Sequence, residues 1–341
     1  MLGRFGAKLR IQRENLGLTQ EDLAQAVGLS SEFISLLELG KRQPSLESLK
    51  SIAAFLKKDP SYFLEEKEMA FDKLLNQKPL NPKVLKELKK FRKYCEDYLK
   101  LEEILGRRLE LAPAYSHTQP ERLAFEERCR IGLGDAPIRN IFSLAECNGL
   151  RVYRQAIDAE YKIAGIFIFF EIKEAAFALI NSSLSLGEQI ITVAHEYYHF
   201  LRDRFSDPII DNPDVLVDDY VSLYHPREKF AHLFAKRLLM PPTKVRAVIE
   251  KDLRSGRLRY EDVIYLKRFF GVGTPAMLQT LRDLEYLSYS QVKEFENRDH
   301  GAYEKTLYGK SLVDEQVPKG KVIPSDRFKN LAVLVSRMQT D

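Results

Sequence analysis

The first 63 residues contain the pattern that most restricts the fold, namely short apolar-periodic segments separated by closely spaced helix-capping residues. In chain order the capping residues are Thr19, Gly28, Ser30, Gly40 and the pair Pro44-Ser45. Serine and threonine stabilise the first turn of a helix, whereas glycine readily adopts the left-handed conformation that ends one. We therefore predict one helix over QEDLAQAV, a second over SEFISLLEL, and a third that runs from Ser45 to about Leu56.

Apolar residues on the first two of these helices recur at helical spacing and predict a small shared core. They are Leu23, Ala24, Val27, Ile34 and Leu37. Two short helices joined through a glycine turn match the helix-turn-helix pattern. We expect residues 1–63 to form an all-α domain.

Composition and periodicity divide the rest of the chain into three segments. Residues 64–112 are rich in Lys, Glu and Leu with a helical periodicity that Pro79 and Pro82 interrupt, and one long helix is expected after this break. We interpret the segment as a helical linker, either a solvated spacer or a dimerisation helix. Residues 113–290 are expected to form the main domain. Residues 291–341 carry Gly, Pro and Lys without a clear pattern, and we expect a loosely ordered tail.

Three short segments of the main domain have the composition of β-strands, since they are apolar and rich in β-branched or aromatic residues. They read LRVYRQ, IAGIFIFF and AAFALINS. Segments with helical patterns precede and follow them, so a small sheet should lie just before the helix that contains AHEYYHF. The predicted fold class is therefore α+β and mostly helical.

Composition excludes some classes of protein. Because 53 Lys and Arg stand against 49 Asp and Glu, the net charge is only +4, and bulk charge does not indicate a nucleic-acid partner. Cys95, Cys129 and Cys147 fit neither a disulfide framework nor a metal knuckle, and we expect reduced core cysteines. No secretory signal is visible and no uncharged apolar stretch reaches the roughly 18 residues of a membrane helix, which favours a cytoplasmic protein without a membrane partner.

The stretch AHEYYHF contains two histidines four residues apart around a glutamate. On a helix, His195 and His199 lie on one face and can present both imidazoles to a single ion. Glu196 then lies beside them, at a distance suited to activating a water molecule. The alternative is a chance match on a buried helix, which composition alone would produce in on the order of one per cent of such chains.

A catalytic zinc site also needs a third protein ligand and an open position for water. The downstream candidates are Asp218, Asp219, His225, Glu228 and His232. Glu228 and His232 are again four residues apart, so one of them can bind the metal while the other braces a ligand.

Three stretches resemble the ImmA/IrrE family of zinc metallopeptidases over about residues 125–285. PREKFAHLFAKRLLMPP is similar to the family signature ExxAxxFAxxLLMP, and INSSLSLGEQIITVAHEYYHFL is similar to its strand and HExxH helix. RIGLGDAPIRNIFSLAECNGLRVY resembles the segment that opens the family's domain. The resemblance implies a zincin-like domain in which His195, His199 and Glu228 bind zinc and Glu196 is the general base.

The chain departs from the family pattern at two positions. Tyr198 stands where a small residue is usual, and its bulk is expected to narrow the cleft or shift the partner helix. His232 stands where Asn is usual. His232 is then either a hydrogen-bonding neighbour of the ligands or a fourth protein ligand that would close the site and indicate a structural zinc.

LGLTQEDLAQAVGLSSEFISLLELGKRQPSLESLKSIAAFL resembles the XRE family of helix-turn-helix domains. The resemblance implies that the helix from Ser31 to Leu39 enters the DNA major groove. The base or nearby phosphate contacts it implies are Gln20, Ser30, Ser31, Glu32 and Ser35, and the phosphate contacts are Lys41 and Arg42. The helix has no Arg, Lys, Asn or Gln, so specific binding is expected to depend on a homodimer. The alternative is a helical module for protein contacts.

Together the resemblances predict a DNA-binding transcriptional regulator with a zinc-dependent endopeptidase domain. The expected partners are a DNA operator and a protein substrate such as a transcriptional repressor. The alternative is a transcription factor whose metalloprotease-like domain is a non-cleaving sensor or protein-interaction module. Glu196 favours the peptidase, because a metal-binding site needs its ligands but not a general base.

Overall fold

The computed structural model describes residues 2–64, 81–116, 119–205, 209–211, 226–253, 257–311 and 322–338. These residues form two compact units, one made of 2–64 with 170–175, and one made of the other described residues from 81 onward. The fold is mostly helical with a small sheet, as predicted. Three candidate ligands, Asp218, Asp219 and His225, lie outside the described residues.

The helices between residues 2 and 64 begin and end close to the predicted caps. They are α1 (Leu2–Asn15), α2 (Gln20–Val27), α3 (Ser31–Glu38), α4 (Leu46–Phe55) and α5 (Pro60–Leu64). Thr19 and Asp22 form a capping box at the start of α2, and Gly28 ends that helix with φ of 69°. The Ser30 hydroxyl accepts a hydrogen bond from the Phe33 amide at 3.1 Å, so α3 begins where the sequence predicts.

The predicted core of this unit forms: Leu23, Ala24, Ile34 and Leu37 are buried, and Val27 packs against them half-buried. α1 crosses close to the end of α3 at Gly6. A Cβ atom on Gly6 would lie 2.3 Å from the carbonyl oxygen of Leu37, so this crossing requires glycine.

The second unit contains a five-stranded sheet with the order β4-β2-β3-β1-β5. Its strands are β1 (Leu150–Gln155), β2 (Gly165–Phe170), β3 (Ala175–Asn181), β4 (Ile209–Asp211) and β5 (Ile323–Pro324). β1 and β3 are parallel, with Leu150 opposite Ala176 and Gln155 opposite Asn181. β2 and β3 are buried along their whole length, which explains why their sequences are continuous apolar runs rather than alternating ones.

The second unit also contains helices from residue 82 to residue 338. They are α6 (Pro82–Leu105), α7 (Pro120–Arg130), α8 (Ile141–Cys147), α9 (Leu186–Arg202), α10 (Pro226–Leu239), α11 (Pro242–Val248), α12 (Tyr260–Phe270), α13 (Thr274–Asp283), α14 (Tyr289–Glu296), α15 (His300–Tyr308) and α16 (Asp326–Met338). α11 continues into a π-helical turn over Ile249–Leu253. None of the helices in the described part of the chain is long and apolar enough to cross a membrane.

The expectation that residues 64–112 form a linker is wrong for the described part of that segment. α6 packs against β1 and α16. The rings of Tyr94 and Phe91 on α6 both stack on the ring of Tyr153 on β1, with centroid distances of 4.1 and 5.8 Å. The apolar face that suggested a spacer or a dimerisation helix is therefore buried within the second unit. Periodicity identifies such a face but not the surface that covers it.

The expectation of a loosely ordered tail from residue 291 is also wrong for the described residues. α14, α15 and α16 are regular helices, β5 pairs with β1, and Leu331 and Val335 of α16 are buried. Arg327 on α16 binds the buried carboxylate of Glu102 at 2.6 Å, and Arg151 of β1 binds the same carboxylate at 2.6 Å. Ion pairs such as these join residues that are far apart in the chain, so the sequence near residue 327 gives no sign of them.

The expectation of core cysteines is correct only for Cys95. Cys129 and Cys147 are exposed at the ends of α7 and α8.

Candidate metal centre

The junction between β3 and α9 fixes the start of the HExxH helix. The side-chain oxygen of Asn181, the last residue of β3, accepts a hydrogen bond from the Ile157 amide at 2.9 Å, and its NH₂ group donates to the Ile163 carbonyl at 2.8 Å. Ser185 and Glu188 then form a capping box at the first turn of α9. The capping box therefore fixes the residue at which this helix begins.

His195, His199 and Glu228 converge, as the sequence predicts. The Nε2 atom of His195 lies 3.1 Å from Nε2 of His199 and 3.1 Å from Oε2 of Glu228, and His199 Nε2 lies 3.6 Å from the same oxygen. The two histidines lie on one face of α9, and Glu228 lies on the first turn of α10. Among the described residues this is the one group of three metal-ligating side chains close enough to hold an ion.

The spacing of these three atoms suits a tetrahedral metal. Ligands at about 2.0–2.1 Å from Zn²⁺ lie about 3.3 Å from one another in a tetrahedron. The separations of 3.1, 3.1 and 3.6 Å bracket that value. Two imidazole nitrogens and one carboxylate also form a donor set that zinc prefers, so the residues present fit this ion.

Asp203 holds one of the ligands in the orientation that metal binding requires. Its Oδ2 atom lies 2.9 Å from Nδ1 of His199 and accepts a hydrogen bond from Nε of Arg227 at 2.8 Å. A carboxylate on Nδ1 favours the tautomer with Nδ1 protonated, which leaves the lone pair of Nε2 toward the metal position. Arg227 precedes Glu228 on α10, so Asp203 also ties the two ligand helices together.

The charge balance of the site keeps both acids ionised. Burial acts to raise the pKa of Glu228, but the hydrogen bonds and charges of His195 and His199 outweigh it, and the pKa is lowered. Burial also acts to raise the pKa of Asp203. The hydrogen bond to His199 and the nearby charge of Arg227 outweigh burial, so the pKa of Asp203 is lowered. Anionic carboxylates at both positions favour a divalent cation between the ligands.

Glu196 is completely buried and lies against the backbone of β2. A Cβ atom on Gly165, the first residue of β2, would lie 1.9 Å from Oε1 of Glu196 and 2.8 Å from Cγ2 of Thr192. The absence of a side chain at Gly165 therefore makes the space that the glutamate occupies.

Tyr198 and His232, the two departures from the family pattern, lie in different surroundings. The Tyr198 ring is buried between His199 and Phe234, with centroids 5.6 and 5.5 Å away, so it packs between α9 and α10. His232 is not among the converging ligands, and its Nε2 atom lies 3.2 Å from the side-chain oxygen of Gln279. Burial, with Lys236 and His195 nearby, lowers the pKa of His232 to about 4, so its ring is neutral at neutral pH.

The predicted DNA-contacting residues lie around α3 in the first unit. Ser31 and Glu32 are exposed on its first turn, and Lys41 and Arg42 are exposed just after it, whereas Ser35 is half-buried. Ser30 caps the helix.

Gln20 is held within the first unit. Its NH₂ group donates to Oε2 of Glu38 at 2.7 Å, and Glu38 also binds Arg13, with an Nε to Oε1 distance of 2.6 Å.

The sequence predicted the three side chains that converge here but missed three of their neighbours, Asp203, Gly165 and Gln279. Asp203 had a detectable signal, since it follows His199 by one helical turn. Gly165 and Gln279 had no such signal, because Gly165 lies far before Glu196 in the chain and Gln279 lies 47 residues after His232.

Two family models match the chain. Residues 9–63 match the model described as helix-turn-helix, and residues 160–282 match the peptidase model described as IrrE N-terminal-like domain. The predicted resemblances are thus confirmed, and a helix-turn-helix domain is followed by an IrrE N-terminal-like domain. Among curated proteins, none matches the sequence.

One solved structure that the chain matches is the crystal structure of Bacillus thuringiensis PlcR in complex with the peptide PapR7 and DNA. The sequences are 17% identical, the match covers 90% of this chain and 100% of that chain, and the TM-score is 0.18. A TM-score this low does not establish a shared fold.

Proposed function

We propose that this chain, in which a helix-turn-helix domain precedes an IrrE N-terminal-like domain, is a DNA-binding transcriptional regulator with a zinc-dependent endopeptidase activity. The observation that carries the proposal is the convergence of His195, His199 and Glu228, with the completely buried Glu196 next to His195 on the same helix. A non-cleaving metal sensor would need the three ligands but neither Glu196 nor the space that Gly165 leaves for it.

His195, His199 and Glu228 would hold the ion in this site. Bound zinc would supply a Lewis acid that polarises the scissile carbonyl and makes water acidic at neutral pH. The Glu196 carboxylate takes the proton from the attacking water and passes it to the leaving amine. Asp203 keeps Nδ1 of His199 protonated, and Gly165 keeps the space in which the Glu196 carboxylate is held.

The proposed partners are a DNA operator and a protein substrate such as a transcriptional repressor. We further propose that the protein binds its operator as a homodimer. Ser31 and Glu32 are the exposed side chains on the first turn of α3, and so few polar groups contribute little specificity per half-site.

The test compares the purified wild type with Glu196→Gln, which keeps the shape of the side chain but cannot accept a proton. Each is analysed for zinc and incubated with repressors encoded near its gene, and fragments are identified by mass spectrometry. We expect zinc in both proteins and cleavage only by the wild type. Glu103→Gln, which changes an exposed carboxylate on α6, is the matched control and should cleave normally.

Two outcomes contradict the proposal. Zinc in both proteins with cleavage by neither favours the non-cleaving sensor. Cleavage by Glu196→Gln at the wild-type rate would show that Glu196 is not the base.

A further inference from the structure

A cavity of about 250 Å³ in the second unit is lined by residues that lie one helical turn from the proposed metal ligands. Its lining includes Ile191, one helical turn before His195 on α9, and His232, one turn after Glu228 on α10. Residues four apart on a helix lie on the same face, so the cavity lines up with the ligands on both helices. The cavity therefore adjoins the metal centre.

The walls of this cavity are mainly apolar. Leu184 lies two residues before α9 and Ile191 lies on its second turn, and Pro275 and Ala276 come from the first turn of α13. Glycine at position 273 widens the cavity further, because it places no side chain there. Such walls favour an apolar group over water.

The charged groups in the lining of the cavity already make contacts within the second unit. Oε2 of Glu188 accepts a hydrogen bond from the Ser185 amide at 2.8 Å, and Nζ of Lys293 binds Oε2 of Glu296 at 2.9 Å. The inner polar pair is His232 with Gln279, joined at 3.2 Å. A charged group inside the cavity would lose its hydration, and the lining cation Lys293 is already paired with Glu296, so the mainly apolar walls favour an uncharged group.

The volume of the cavity sets the size of the group it can hold. A cavity of about 150 Å³ lined by aliphatic and aromatic residues accommodates benzene. A cavity of about 250 Å³ is large enough for one large aromatic or aliphatic side chain but small for a folded segment of chain.

We propose that this cavity binds one large uncharged side chain of the protein substrate, aromatic or aliphatic, next to the bond that is cut. This inference rests on the proposed peptidase function. It assigns Ile191 and Ala276 as residues that determine specificity, with His232 and Gln279 as the polar end of the subsite.

The test fills the cavity and follows the cleavage preference. Wild type and Ala276→Phe, both loaded with zinc, are incubated with a synthetic peptide library randomised at every position, and the cut sites are read by mass spectrometry. We expect the wild type to require a large uncharged residue on one side of the cut bond. In Ala276→Phe, kcat/KM for peptides with a large uncharged residue at that position should fall on the order of tenfold or more. The value for peptides with Gly or Ala at the same position should fall less.

Two further variants separate specificity from folding. Ala247→Phe introduces the same side chain at an exposed position of α11 and should behave as the wild type. Ala276→Val adds less volume and should shift the preference in the same direction, even if Ala276→Phe does not fold. An unchanged preference in a folded Ala276→Phe or Ala276→Val would overturn the inference, as would a wild-type preference for charged residues.

A binding measurement distinguishes failure of this inference from failure of the peptidase proposal. Zinc-loaded Glu196→Gln is titrated with N-acetyl-phenylalaninamide and followed by NMR, with and without Ala276→Phe. Saturable binding of N-acetyl-phenylalaninamide that is lost in the Ala276→Phe variant supports the subsite. If such binding is found but no peptide is cut, only the peptidase proposal fails. Cleavage of peptides without such binding overturns the subsite alone.

Discussion

A change at Gly165, which is neither a metal ligand nor the proposed base, should also separate metal binding from catalysis. In Gly165→Ala the new Cβ would lie 1.9 Å from Oε1 of Glu196, so the carboxylate must move. Displacement of a catalytic group by about 1 Å can cost about 100-fold in rate, and we expect a loss of this order in kcat. Zinc content should stay at the wild-type level, because the three ligands are unchanged.

The matched control is Gly301→Ala on α15. The nearest atom to its added Cβ would be Oδ1 of Asp299 at 3.7 Å, an ordinary contact. This variant should keep full activity. Full activity in Gly165→Ala would mean that the position of Glu196 does not limit the reaction.

Asp203 should determine how tightly the metal binds. Its carboxylate lies 2.9 Å from Nδ1 of His199, and loss of such an outer hydrogen bond typically weakens metal binding about 10- to 100-fold. We expect Asp203→Asn to weaken zinc binding to this extent in a competition titration with a chromophoric chelator. Asp97→Asn, at an exposed ion pair on α6, should bind zinc normally, and equal affinities for the two variants would contradict the role of Asp203.

At the scale of elements, the contact between α12 and α15 depends on a buried carboxylate. Glu304 binds Nζ of Lys267 at 2.7 Å and Nη1 of Arg268 at 2.7 Å, and both Lys267 and Glu304 side chains have 0% exposure. Replacing one partner of a buried ion pair typically costs about 3–5 kcal/mol. We expect Glu304→Gln to lower the free energy of unfolding by about 3 kcal/mol in urea at neutral pH.

This carboxylate also predicts a pH dependence. Burial acts to raise the pKa of Glu304, but Lys267, Arg268 and Ser311 outweigh it, so the pKa is lowered in the folded protein. The stabilisation is therefore complete above the unfolded-state pKa of about 4.5 and is lost as the pH falls through the lower folded-state value. The difference in stability between wild type and Glu304→Gln should shrink below about pH 4.5. Glu294→Gln, at an exposed pair with Arg298, should show almost no difference at any pH.

The helices and strands themselves were largely predictable, because caps and short apolar runs are local signals. α2, α3 and the strand β1 have the predicted positions. The role of α6 was not predictable. Its apolar stripe is equally consistent with a spacer, a dimer interface or a core helix, and only the position of β1 and α16 decides between them.

At the scale of the whole molecule, DNA binding should depend on salt and on the basic residues after α3. Each phosphate contact releases counterions, so the logarithm of the affinity should fall linearly with the logarithm of the salt concentration. We expect Lys41→Ala and Arg42→Ala each to reduce the slope by about 1, measured by fluorescence anisotropy on operator DNA.

Lys50→Ala, at an exposed position on α4, is the control for this measurement and should leave the slope almost unchanged. An affinity that does not vary with salt would contradict DNA binding and favour a module for protein contacts.

The sequence alone determined the two domains' local structure and the chemistry of the metal ligands. Helix caps and the HExxH spacing act within one or two helical turns, and so they are visible in a short stretch of chain. A resemblance to known families added Glu228, which local spacing had left among five candidates.

Tertiary structure alone decided which residues surround that chemistry. Gly165 makes space for Glu196, α6 covers the sheet, and α16 is held by Glu102 through Arg327. Each of these contacts joins residues that are far apart in the chain, and a contact of that kind depends on how elements pack, not on the period of any one segment.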